Sequence, residues 1–116
     1  VLDACSDPVD AEKILSTLNC EAVLISWVEG ETFLFKRNGQ VISIPPVIDR
    51  PIDVVGVGDA IAATLALGIT IENDFEKASE LANYAGAFVA SKEGLTFITR
   101  TELKEFIEKH RREEVR

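Results

Sequence analysis

With 116 residues and 20 acidic against 12 basic side chains, a formal charge of −8, the chain has room for one domain with a modest core. That balance argues against a nucleic-acid backbone or an anionic membrane surface as the main partner. Its apolar runs are far short of a bilayer span, no secretory-signal pattern opens it, and a hydrophobic content of 47% is ordinary for a globular protein.

Taken in order, Ser6-Asp7-Pro8 reads as a helix start, with Asp7 as N-cap and Pro8 in the first turn. Ala11, Ile14, Leu15 and Leu18 then share one face of a helix that ends near Asn19. Cys5 and Cys20 show no CxxC spacing and His110 is the only histidine, so reduced thiols in a cytoplasmic protein are favoured over zinc. A chain that opens on Val1 rather than Met is expected to be a piece of something longer. Ala22 to Trp27 is a continuous apolar run that predicts a buried strand. Thr32–Lys36 and Gln40–Ile44 flank Asn38-Gly39, the dipeptide of a two-residue hairpin turn, and Pro45-Pro46 closes the hairpin.

The stretch Asp53-Val54-Val55-Gly56-Val57-Gly58-Asp59 follows, and after it the apolar helix-forming run Ala60 to Gly68. Two readings compete here. Gly56 and Gly58 can simply shape a strand-to-helix corner with Asp59 as a cap. Alternatively, the free N–H groups and positive dipole end of the helix form an anion site, and Asp59 takes a proton from a nucleophile aimed at that anion. Spacing alone favours the first, since short glycine motifs are weak signals.

Asn73 or Asp74 then caps a helix over about Phe75 to Ser91, with Ala78, Leu81, Ala82, Ala85, Phe88 and Val89 inward. Its small residues, Ala82, Ala85, Gly86, Ala87 and Ala90, suit close helix–helix packing or the approach of a flat ligand, and packing is favoured. Gly94 is a left-handed helix stop, and Leu95 to Ile98 reads as a short strand. Thr99 and Thr101 compete as caps for a last helix, Thr99 pairing with Glu102 in a capping box, with Leu103, Phe106 and Ile107 inward. The tail from Arg111 to Arg116 is a solvated charge run. Alternation of helices with short strands gives an α/β layer structure whose first strand lacks a full set of partners.

The central stretch, with its Ala-rich helix, resembles the C-terminal signature Asp-Thr-x-Gly-Ala-Gly-Asp of the ribokinase-like (PfkB) carbohydrate kinases. Ala82-Asn83-Tyr84-Ala85-Gly86-Ala87, then Lys92-Glu93-Gly94 with Thr96, resembles that family's nucleotide-side helix and loop, and is most similar to the heptose-phosphate kinase part of ADP-heptose synthases. The hairpin and the Ile25-Ser26 strand end fall where the family has them. The resemblance implies that residues 1–116 form the C-terminal, nucleotide-binding portion of a three-layer α/β/α kinase fold, with an incomplete sheet and a β-hairpin.

By the same resemblance, Asp59 is the general base that takes the proton of a sugar hydroxyl, and Gly56, Val57 and Gly58 form the anion hole. Ser26, Asn83, Gly86, Lys92 and Gly94 belong to the nucleotide side, and Asp53 holds a monovalent cation. ATP, Mg2+ and K+ are the implied cofactors. The implied partners are a sugar or sugar phosphate, the N-terminal kinase half or a separate chain that supplies it, and a second copy in a homo-oligomer. The sequence departs from the pattern at Val54-Val55, in place of a threonine-bearing stretch, and at Val28 and Glu31, in place of glycines. Those departures motivate an alternative, a non-catalytic nucleotide-binding or interaction module that kept the fold.

Overall fold

The computed structural model describes residues 8–26 and 30–114, so Cys5, the expected cap Asp7, and Trp27 and Val28 lie outside the described residues. Helix α1 spans Pro8–Leu18, and proline at its first position has the fixed φ a helix start needs. Ala11 and Leu15 are buried as the periodicity predicts, but Leu18 is 66% exposed, because the chain reverses at Asn19 (φ 51°) directly after it.

Strands β1 (Ala22–Ile25), β2 (Thr32–Lys36) and β3 (Val41–Ile44) form an antiparallel sheet in that order, with Leu24 opposite Leu34 and Leu34 opposite Ile42. The alternation of β2 assigns its faces. Phe33 and Phe35 pack with Ala11 and Leu15 of α1, whereas Thr32 and Leu34 point to the opposite face. The hairpin differs from the two-residue turn expected. Four residues, Arg37 to Gln40, lie between the strands, with the Gly39 N–H donating to the Lys36 carbonyl at 3.0 Å and the Lys36 N–H to the Gln40 carbonyl at 2.9 Å. A two-residue type I′ turn needs positive φ at both central residues, and here Gly39 alone takes it (φ 93°) while the Asn38 side chain accepts the Gln40 N–H.

Helix α2 spans Val57–Glu72, four residues beyond the glycine that ended the expected run, and closes at Asn73 in the left-handed region. Gly68 is not a stop but a contact point: a Cβ there would stand 2.9 Å from Ala78 Cβ on α3. Helix α3 spans Phe75–Ala90 and is opened by Asp74, whose side chain accepts the Lys77 N–H. The two competing caps therefore split their work, Asn73 ending one helix and Asp74 starting the next. Residues 95–98 are not a strand. Leu95 and Phe97 are exposed and no described strand lies beside them to take their backbone hydrogen bonds. Helix α4 (Arg100–Glu114) begins with the expected capping box, Thr99 and Glu102 exchanging side chain-to-N–H bonds of 3.1 and 3.2 Å.

Helix α1 covers one face of the sheet and α3 the other, with α2 and α4 packed on α3. One core joins α1 to the phenylalanine face of β2. The other gathers Val57, Phe88, Val89 and Ala90 with Ile48, Ile61, Ile98 and Phe106, just beneath the start of α2. This is an α/β layer structure with a sheet of only three described strands, as the sequence implies.

Candidate active site

The chain reaches α2 through a turn over Val54–Val57, closed by the Val57 N–H on the Val54 carbonyl at 3.4 Å. Gly56 holds φ 80° and ψ 0°, the third-position geometry of a type II turn that glycine adopts without penalty. It is also the N-cap of α2, so Asp59 sits in the first helical turn and is not the cap. The Gly58 and Asp59 amides make no backbone hydrogen bond among the described residues. Both point from the positive end of the helix, and the position a Gly58 Cβ would take faces open space. Asp59 is exposed beside them. Geometrically the corner can receive an anion and present a carboxylate next to it.

The turn is tied to the far end of α3. The Ile52 and Asp53 N–H groups both donate to the Ala90 carbonyl, at 2.7 and 3.2 Å. The Asp53 carboxylate spans two loops, accepting the Gly94 N–H at 3.0 Å and the Val55 N–H at 3.2 Å. The Leu95 side chain lies against Gly56, so close that a Cβ there would come within 3.1 Å of its Cδ1. Hydrogen bonds first from Gly94 and then from Val55 hold the Asp53 carboxyl below its ordinary 3.8. A depressed folded-state value stabilises the fold above the ordinary carboxylate pKa, and that contribution disappears as pH falls through the folded value. Asp53→Asn is therefore expected to flatten the acid limb of a pH–stability curve below about pH 4, which urea unfolding at stepped pH would measure. An unchanged acid limb would overturn it.

A cleft opens between the hairpin and the α2–α3 pair, lined in part by Ser26, Thr32, Val57, Asn83, Gly86 and Ala87. Three of the five expected nucleotide-side residues, Ser26, Asn83 and Gly86, thus meet in one place. Asn83 is engaged on both sides of its amide: Nδ2 donates to the Pro45 carbonyl at 3.0 Å and Oδ1 accepts the Thr32 hydroxyl at 3.2 Å. It locks the hairpin to α3 as well as lining the cleft. Asn83→Ala is expected to cost about 1–3 kcal/mol in chemical unfolding, because the buried Thr32 hydroxyl loses its partner. Gly86 packs against α2, where a Cβ would stand 2.7 Å from Ile61 Cγ1. Lys92 and Gly94 lie elsewhere: Lys92 Nζ stands 5.2 Å over the Phe88 ring, and Gly94 meets Asp53. Glu31 accepts a hydrogen bond from Ser43 on β3, which gives its unexpected carboxylate a neutral partner at the hairpin.

Thr32, Gly30 and Leu95 were not singled out by sequence. Thr32 carried a readable signal, a hydroxyl at an inward position of an alternating strand; Gly30 and Leu95 carried none, being loop residues placed by the fold.

Among the described residues no three His, Cys, Asp or Glu side chains converge on a possible metal. The Asp53 carboxylate keeps a lone pair on each oxygen beyond the two N–H bonds, which is compatible with one weakly held monovalent cation.

The sequence profile described as pfkB family carbohydrate kinase matches residues 4–102. The chain is 35% identical over 103 residues to "Bifunctional protein HldE" of Bradyrhizobium diazoefficiens, covering 88% of this chain and 21% of that protein. It is also 35% identical over 101 residues to the protein of the same name from Caulobacter vibrioides, covering 87% of this chain and 21% of that one. Among solved structures, aminoimidazole riboside kinase from Salmonella enterica, complexed with aminoimidazole riboside and an ATP analog, superposes with a TM-score of 0.71 at 25% identity. That superposition covers 91% of this chain and 38% of the kinase. The chain thus spans about a fifth of the length of the curated relatives it matches.

Proposed function

This chain belongs to the pfkB family of carbohydrate kinases, and from that premise we propose that it is the nucleotide-side, phosphoryl-transfer portion of an ATP-dependent kinase for a sugar or sugar phosphate. The observation that carries the reading is Asp59 in the first turn of α2, beside the unbonded Gly58 and Asp59 amides and open space. In this reading Asp59 accepts the proton of the attacking hydroxyl while the new O–P bond forms. The γ-phosphoryl leaves ADP, and the free Gly58 and Asp59 N–H groups steady the charge on the transferring group, whereas the Val57 N–H of the expected anion hole is taken by the Val54 carbonyl. A bound Mg2+ would neutralise the phosphates, and among the described residues no group of three His, Cys, Asp or Glu side chains stands ready to hold it. In this reading Ser26, Asn83 and Gly86 present the cleft to the nucleotide, while Lys92, over Phe88, and Gly94, bonded to Asp53, stand outside its lining. The similarity to the proteins named HldE, with the resemblance of Asn83-x-x-Gly86 … Lys92-x-Gly94-x-Thr96 to the heptose-phosphate kinase branch, supports a phosphorylated heptose as the acceptor.

The surface of α2 supports a missing half. Its Leu67 and Ile71 are 64% and 78% exposed, large apolar side chains that a further part of the kinase would cover. Little or no turnover is expected of the 116 residues alone, and robust sugar phosphorylation by them would overturn that.

A second reading, a nucleotide-binding module without catalysis, draws on the exposed pair Val54 and Val55, which replaces the threonine-bearing stretch of the signature and so lacks one hydroxyl. Joining the chain to its upstream half and measuring ADP release across a panel of sugars and heptose 7-phosphate separates the two. Sugar-stimulated release supports the kinase. ATP binding by calorimetry without any stimulated release would hand the case to the module.

A further inference from the structure

We infer that Asp53 is a positioning residue: its carboxylate is a hydrogen-bonded clip that fastens the Val54–Val57 turn to the Gly94 loop and so fixes where the anion-binding amides stand. The inference rests on the kinase reading above for its activity arm alone.

Three observations converge on this small region. The two Asp53 oxygens are divided between the two loops, one to the Val55 N–H and one to the Gly94 N–H. The backbone of the same residue is anchored to the Ala90 carbonyl at the end of α3, so the carboxylate hangs from a fixed point. Leu95, directly after the clipped Gly94, covers Gly56. Val55 and Gly56 are the two central residues of the turn, and Gly56 is the cap of α2. Any shift of the turn therefore moves the Gly58 and Asp59 amides with it. Neither loop belongs to regular structure, and Gly94 itself takes a left-handed φ of 72°. Charge-assisted bonds to backbone N–H are strong enough to fix such segments. A carboxylate is the side chain for this task because it accepts on both ends. An amide of the same shape accepts on one end and sets a donor against a donor on the other.

Two substitutions test the clip independently. Asp53→Asn keeps the shape and removes one acceptor. Val55→Pro removes one donor at the turn position where a type II turn takes proline readily. Both are made in the kinase that carries this chain together with its upstream half, with Asp59→Asn as the control on the kinase reading. Amide hydrogen exchange over residues 54–58 and 92–96, and kcat and KM for ATP with K+ present or replaced by a bulky organic cation, are measured. Asp53→Asn is expected to speed exchange in both segments together. It should lower kcat on the order of 10- to 100-fold with KM for ATP nearly unchanged, as a small displacement of positioned groups does. The factor should be the same with and without K+, and Val55→Pro should add little to Asp53→Asn in the double variant. Unchanged exchange in either segment, additive losses, or a loss seen only in K+ would overturn the clip. If Asp59→Asn retains full activity the kinase reading fails instead, and the exchange data still decide the clip.

Discussion

Replacement of Asp59 by asparagine is expected to lower kcat for sugar phosphorylation by a factor of about 10²–10⁴, the usual cost of losing a positioned general base. KM for ATP should stay close to its original value, because the cleft proposed for the nucleotide is lined by Ser26, Val57, Asn83 and Gly86 and not by Asp59. The fold should hardly notice. Asp59 is exposed, and its structural worth is confined to a favourable charge near the helix N-terminus, about 0.3–1 kcal/mol. A thermal melt and steady-state ADP release on the same variant, made with the upstream half present, check both parts. Full activity in Asp59→Asn would remove the residue from the reaction. A fold lost along with the rate would show that the corner is structural first.

The second large effect is a contrast between two glycines of one helix. Gly58→Ala places its methyl in open space, and the better helix propensity of alanine should leave stability unchanged or raise it by up to about 1 kcal/mol. The same methyl stands beside the amides proposed to steady the phosphoryl group, so activity is expected to fall on the order of 100-fold. Gly68→Ala should do the reverse. Its methyl would meet Ala78 Cβ at 2.9 Å and Cα at 3.1 Å, and backbone on α3 cannot yield as a long side chain would. Overpacking of this kind costs about 1–3 kcal/mol, more than the propensity gain, so a net loss is expected in denaturant unfolding, with residual activity per folded molecule preserved. Equal stabilities for the two variants would contradict the packing argument. Equal activities would contradict the site.

The contrast between these glycines shows which features were legible in the sequence. Local chemistry was. The Thr99–Glu102 capping box, the Asp74 cap, the burial of Ala11 and Leu15 and the alternation in β2 depend on residues a few positions apart, and the structure has each of them. The glycine-rich stretch was likewise recognisable as a turn into a helix, since only a residue tolerant of positive φ fits Gly56.

Other features needed the fold. Sequence could offer Asn38-Gly39 as a turn but not its length, because the loop type follows from which residue takes positive φ when the strands pair. Residues 95–98 looked like a strand by composition. They are irregular because a strand exists only through a neighbour that takes its hydrogen bonds, and none of the described strands reaches them. Gly68 is only the last residue of an apolar run in the sequence, and in the fold it is a helix interior set against a backbone ten residues further along the chain.

The candidate site divides in the same way. By itself the sequence determined the residue types at the corner: a carboxylate in the first turn of a helix, glycines before it, and an Asn/Gly-lined helix downstream. Tertiary structure alone decided that Asn83 is committed to the hairpin through Thr32 and Pro45, that Lys92 stands over Phe88, and that Asp53 reaches 41 positions along the chain to Gly94. The physical reason is range. Caps, turns and periodicity are settled by bonds within a few residues, whereas the partner of a carboxylate or an amide is whichever group the packing of helices and sheet brings within about 3 Å.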